Sequence, residues 1–205
     1  MKISEGIKNI GYPYKIHDVG RDDLPEFFKE MGFTVGAEVG VLRGEFAEVI
    51  CKSGLKLYAI DPWVYYKNYR RHPQEAPMEE IYQAAKEKLA PYDCTFIRKT
   101  SMDALDDFKD NSLDFVYLDG NHTIRYIVED FYEWYRKVKP GGVICGHDYE
   151  NLRNNPYSQS ACHVRSAIDM LAAIYNLNFY VLGGNQSNGE KRDKHRSWMI
   201  IKPKE

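Results

Sequence analysis

The sequence has no apolar run near the ~18 residues that a membrane-spanning helix needs. Its opening stretch, MKISEGIKNI, has no signal-peptide core. Both absences point to a protein that stays in the cytoplasm and off the membrane. Charge imbalance is also missing. The formal net charge is −2 over 205 residues, which gives no reason to expect nucleic-acid binding. Two short basic clusters, at 69–72 and 191–196, read as solvated loops. The four cysteines, Cys51, Cys94, Cys145 and Cys162, show no CxxC or other metal spacing. Three sit among apolar residues, where a free thiol behaves as a small hydrophobe. A reducing compartment fits that pattern better than a disulfide framework does. There is no internal repeat and no GxGxxG turn.

What is present is ordinary globular composition and a regular alternation of elements. The length fits one domain over 1–205, with 1–30 as an N-terminal extension and first helix. Residues 1–20 read as irregular, punctuated by Gly11, Pro13 and Gly20. "RDDLPEFFKEMG" then reads as a helix capped by Asp22 or Asp23 and ended by Gly32. "FTVGAEVGV", "KLYAID", "CTFIRK", "LDFVYLD" and "GGVICGHD" read as five buried strands. Helical stretches separate them, including "TIRYIVEDFYEWYRKV" with Ile127, Phe131 and Trp134 at helical spacing. This is the pattern of βαβ units and a parallel sheet with helices on both faces. "FYVLGG" and "SWMIIK" lack a helix between them and read as a final hairpin, which makes one strand antiparallel. Ligands in such α/β sheets bind at the carboxyl ends of the strands.

The chemically unusual residues fall at those ends. Gly40 and Gly44 lie between the first strand and its helix, where glycine permits tight turning and close approach to a ligand. Glu38 stands two residues before Gly40. A carboxylate there would repel a pyrophosphate and would attract an amino group or a sulfonium. The second strand ends in Asp61, placed to accept the hydroxyls of a ribose. Ser101 and Met102 follow the third strand, where an adenine ring would lie. Asp119 and His122 follow the fourth strand, and His147 and Asp148 follow the fifth. The ligand these residues suit is a nucleoside with a cationic amino-acid tail.

The motifs "EVGVLRGEF", "YAIDPW", "LDFVYLDGNH" and "KPGGVICGHDY" resemble those of class I S-adenosylmethionine-dependent methyltransferases, over roughly residues 30–202. The combination is most similar to the small-molecule type that tailors sugars and natural products. The resemblance implies a Rossmann-like, doubly wound sheet of seven strands in the order 3-2-1-4-5-7-6, with strand seven antiparallel. It implies S-adenosylmethionine as cofactor. Glu38, Gly40 and Gly44 would cradle its methionine part, and Asp61 would take the ribose with Trp63 flanking it. Ser101 and Met102 would border the adenine. Asp119 would sit beneath the sulfonium and the acceptor.

Methyl transfer from a sulfonium to an alcohol or phenol needs removal of a proton, or a metal that lowers the hydroxyl pKa. Asp119, His122, His147 and Asp148 are the candidate catalytic residues. His122 and His147 suit a base because imidazole titrates near neutral pH. Asp119, His147 and Asp148 suit a divalent metal, although a histidine disfavours an all-oxygen magnesium site. The loops 62–77 and 149–163 carry Tyr65, Tyr66, Tyr69, Arg70, Arg71, Tyr149, Arg153 and Tyr157. Those side chains fit a small-molecule acceptor with a polar ring. Exposed aromatics permit a homodimer. Two other functions compete with this one, a nicotinamide-dependent oxidoreductase on a Rossmann-type sheet and a non-catalytic cofactor-binding scaffold. The missing GxGxxG and the presence of Glu38 weigh against the oxidoreductase.

Overall fold

Eight strands form one sheet in the order β1-β7-β8-β6-β5-β2-β3-β4. The computed structural model describes residues 2–66, 77–152, 161–184, 193 and 195–204. The strands are β1 (Tyr14–Ile16), β2 (Val35–Val39), β3 (Lys56–Ile60), β4 (Cys94–Ile97), β5 (Leu113–Leu118), β6 (Val138–Gly146), β7 (Phe179–Leu182) and β8 (Ser197–Ile201). The helices are α1 (Ile3–Gly6), α2 (Leu24–Glu30), α3 (Glu45–Lys52), α4 (Met78–Leu89), α5 (Ile124–Lys137) and α6 (Val164–Ile174). From β2 to β8 the order is the expected one, and β8 runs antiparallel between β6 and β7. The count of seven strands and the irregular reading of residues 1–20 are corrected by β1. It adds an eighth strand, parallel to β7 at the sheet edge. Three residues, of which only Ile16 is buried, carry no readable alternation. The fifth expected strand also starts earlier, at Val138, and passes its Pro-Gly-Gly through an irregularity opposite Leu113 and Phe115.

The central strands are buried on both faces, so they read as apolar runs rather than alternations. Along β5, Phe115 and Tyr117 pack with Phe28 of α2, Phe46 and Ile50 of α3, and Leu89 of α4. Their neighbours Val116 and Leu118 face the other way, onto Ile127, Phe131 and Trp134 of α5 and Ile168 and Leu171 of α6. One strand therefore feeds two cores, as its two-residue period requires. Among the described residues, no helix is long and apolar enough to cross a membrane.

Candidate active site

The glycine turn after β2 has left-handed backbone at Gly40 (φ 94°), Leu42 (φ 47°) and Gly44 (φ 70°). Gly44 caps α3, and its N–H donates to the Val41 carbonyl at 2.8 Å. Asp61, just past β3, ties this turn down. One carboxylate oxygen accepts from the Leu42 N–H at 3.0 Å, and the other accepts from the Trp63 N–H at 2.7 Å. Trp63 is fully buried against Tyr82 and Phe96, and its indole N–H donates to the Leu42 carbonyl at 2.9 Å. It braces the turn from below. Glu38, two residues before Gly40, is 2 % exposed and its Oε2 has no hydrogen-bond partner. Burial, then the nearby charge of Asp119, pushes its carboxyl well above the ordinary range. A cationic ligand group beside it would reverse that.

Ser101 donates a short hydrogen bond to Asp130 of α5 and accepts one from the Trp134 indole N–H at 2.8 Å. Met102 packs at the edge of the core under α5. Asp130 is buried, and that burial raises its carboxyl to about 7, against the smaller opposing effect of the Ser101 hydrogen bond. The folded protein then holds a proton that the unfolded chain, with its carboxyl near 3.9, releases between about pH 4 and 7. Stability from this group is present at low pH and is lost as pH rises through 7. Asp130→Asn should keep the Ser101 bond and remove the dependence. Relative to wild type, it should gain on the order of 3 kcal/mol more at pH 8 than at pH 4 in urea unfolding. An equal difference at both pH values would show that Asp130 is not the titrating group.

The ends of β5 and β6 bring the four acid and imidazole residues together. Asp119 is held by its N–H on the Val39 carbonyl at 2.8 Å, and His147 by its N–H on the Leu118 carbonyl at 3.2 Å. His122 lies between two carboxylates. Its Nε2 is 3.2 Å from Asp119 Oδ1, and its Nδ1 is 3.3 Å from Asp148 Oδ2. His147 Nδ1 stands 3.9 Å from a carboxylate oxygen of both acids, and its buried Nε2 makes no hydrogen bond. Burial alone would raise the Asp119 carboxyl. The His122 hydrogen bond and the charges of His122, His147 and Arg21 outweigh it, so Asp119 ionises below its ordinary value.

Among the described residues Asp119, His122 and Asp148 form a cation-sized cluster, and His147 of the expected set is not part of it. Two carboxylates and one imidazole suit a borderline divalent ion better than magnesium. A second cluster shares Asp148 and adds Glu150 and His195. His195 Nδ1 is 2.8 Å from Glu150 Oε1, close enough for an ion pair but not aligned as a hydrogen bond. Neither Glu150 nor His195 was expected at the site.

Of the acceptor loops, Tyr65 and Tyr66 are exposed. Tyr149 is corrected. It is 2 % exposed, lies against Phe179 and hydrogen-bonds Asp169 of α6, so it belongs to the core rather than a pocket rim. Tyr69, Arg70, Arg71, Arg153 and Tyr157 lie outside the described residues.

Residues 37–149 match a family described as a methyltransferase domain. An uncharacterized protein of Sinorhizobium fredii is 36% identical over 74 residues, which are 35% of this chain. The chain spans only 8% of that relative's length. Among solved structures, an O-methyltransferase from Bacillus cereus in complex with SAH superposes with a TM-score of 0.62 at 17% identity. The match covers 91% of this chain and 83% of that one. The N-methyltransferase NodS from Bradyrhizobium japonicum superposes with a TM-score of 0.58 at 12% identity, over 89% of this chain and 94% of that one. At such identities the likeness establishes the fold.

Proposed function

This chain belongs to the methyltransferase domain family, and on that premise we propose that it moves a methyl group from S-adenosylmethionine to an oxygen of a small molecule, a sugar or natural product. One observation carries the reading. The acid–imidazole cluster of Asp119, His122 and Asp148 stands directly beside the Gly40 turn, because Asp119 hangs from the Val39 carbonyl. That adjacency supports a reading in which a donor site and a proton-accepting site lie side by side. S-adenosylmethionine, when bound, supplies a methyl group already activated on a sulfonium. The protein's own task is then alignment and proton removal.

Glu38 faces the cationic end of the cofactor, Asp61 its ribose, and Ser101 with Met102 its adenine. In this reading Asp148, 3.3 Å from Nδ1 of His122, holds the Nδ1–H, and Nε2 exchanges its 3.2 Å contact with Asp119 for the acceptor hydroxyl and acts as the base. Asp119 is the most exposed of the three, at 21% of its side chain against 11% and 10%. The acceptor therefore reaches Nε2 from the Asp119 side. Held by Glu38, Gly40, Gly44 and Asp61, the donor would supply the methyl group to the acceptor oxygen and retain the carbon–sulfur electron pair. The hydroxyl proton passes to His122, which stands between the two carboxylates. Asp119, His122 and Asp148 are also the residues that would hold a divalent cation, with His147 adjacent. Its chemistry there would be to lower the acceptor's hydroxyl pKa.

Calorimetry with S-adenosylmethionine, S-adenosylhomocysteine and NAD tests the cofactor assignment, repeated with and without manganese and after chelation. We expect both methionine nucleosides to bind and NAD not to bind. Binding of NAD alone would overturn the reading in favour of the oxidoreductase.

A further inference from the structure

Beyond the residues already assigned, a cation from the N-terminal segment reaches the same end of the sheet, and it lies outside the matched span 37–149. Arg21 opens a short 3-10 turn, Arg21–Asp23, ahead of α2. The segment is pinned in place. The Arg21 N–H donates to Asp193 at 2.9 Å, the Gly20 N–H to Asp23 at 2.7 Å, and the Gly183 N–H to the Val19 carbonyl at 2.8 Å. The Arg21 guanidinium lies over the Phe46 ring, 5.3 Å from its centroid. Phe46 is in the first turn of α3, just past Gly44, and its ring is 4.3 Å from that of Tyr117. Tyr117 pairs across β5 and β2 with Glu38. Arg21, Phe46, Tyr117 and Glu38 therefore share one face of the sheet at its ligand end.

No ion pair joins Arg21 to Glu38. Among the described residues the Arg21 side chain has one ion pair, with Asp22 at 3.9 Å, and that carboxylate is 67% exposed. Meanwhile Glu38 Oε2 and the Tyr117 hydroxyl are both buried without a hydrogen-bond partner. Native proteins rarely leave such groups unsatisfied. Arg21 is near enough for its charge to oppose the burial that raises Glu38 and Tyr117, and it stands beside the Tyr117 hydroxyl without pairing with Glu38. A buried acid and a partly exposed guanidinium on one face suit a ligand end carrying both signs. The guanidinium fork matches a carboxylate with two parallel hydrogen bonds.

We propose that Arg21 binds the carboxylate of the cofactor's methionine tail while Glu38 binds its ammonium. The zwitterion would be clamped between the N-terminal turn and β2. This assignment rests on the S-adenosylmethionine reading above. It also explains how a site already carrying Glu38, Asp61 and Asp119 tolerates another carboxylate, which would otherwise be repelled.

Calorimetry with two probes tests it: S-adenosylhomocysteine, and its decarboxylated analogue, the aminopropyl thioether of adenosine. The analogue keeps the ammonium and lacks the carboxylate. Arg21→Gln should weaken S-adenosylhomocysteine about 30-fold and leave the analogue within about twofold. Arg21→Lys keeps the charge without the fork and should fall between wild type and Arg21→Gln. Equal weakening of both probes would mean a merely structural role, and no weakening of either would mean no contact. Each result overturns the assignment. If Arg21→Gln does not fold, Arg21→Lys decides, since an unchanged ratio of the two affinities overturns it as well. A wild-type protein that binds neither probe would overturn the methyl-donor reading along with this one. Wild-type binding that Arg21→Gln leaves intact overturns the Arg21 assignment alone.

Discussion

His122→Ala lowers turnover by about 10²- to 10⁴-fold, the usual contribution of a positioned general base, while S-adenosylhomocysteine still binds. The measurement is S-adenosylhomocysteine formation against a panel of phenols and glycosides. The expectation follows from the two carboxylates on either side of the ring, at 3.2 and 3.3 Å. Removing the ring takes away the proton acceptor and leaves two acids with nothing between them. Asp148→Asn should lose activity by the same route, because the amide no longer fixes the Nδ1–H tautomer. The double variant should then lose little more than His122→Ala alone, since residues acting as one unit are not additive. Added imidazole should restore part of the His122→Ala activity if the ring moves a proton. Unchanged turnover in His122→Ala would remove the residue from the reaction.

Gly40→Ala should cost the fold more than 3 kcal/mol, by analogy with the largest single-residue effects. A Cβ at Gly40 would lie 2.3 Å from the Asp119 carbonyl oxygen, 2.6 Å from its carbon and 2.8 Å from the Gly120 Cα. All three are backbone atoms, so no side chain can swing away. The residue is also in the left-handed region, at φ 94°. Gly54→Ala separates the two causes. Gly54 has φ 87° and nothing within 4 Å of its added Cβ, so it should lose only about 1–2 kcal/mol from backbone strain. Urea unfolding of the two variants gives the comparison. Similar losses in both would mean that β2 and β5 can part without penalty at Gly40.

The second prediction also marks a limit of the sequence. Gly40 was readable as a glycine that something must approach closely. What approaches it in the folded chain is the peptide carrying Asp119. The parallel sheet from β2 to β6 and the final hairpin were legible because helices alternate with buried strands and β7 and β8 have no helix between them; the strand order came from the family resemblance. β1 was not legible, since a three-residue edge strand has no period to detect. Asp119, His122 and Asp148 announced themselves as acid and imidazole at strand ends. Glu150 and His195 did not, because 45 residues of sequence separate them. The topology held the missing clue. An antiparallel β8 beside β6 pairs Trp198 with Gly146, so the residues entering β8 must meet those leaving β6. Arg21 was hidden by its place at a helix start, where a charged residue needs no further explanation.

The pairing of β1 with β7 has a consequence for how the protein is made. Tyr14–Ile16 align with Tyr180–Leu182, so this short strand has no partner until a segment far along the chain has folded. Loop-closure entropy makes so distant a contact one of the last to form. The turn holding Arg21 is anchored through Asp193, so it has to wait as well. Until then β7 would present an open edge of unpaired backbone, the kind of surface on which chains join one another. A strand of three residues is enough to close it. The N-terminal segment thus acts as the latch of the sheet, engaged only once the C-terminal hairpin exists.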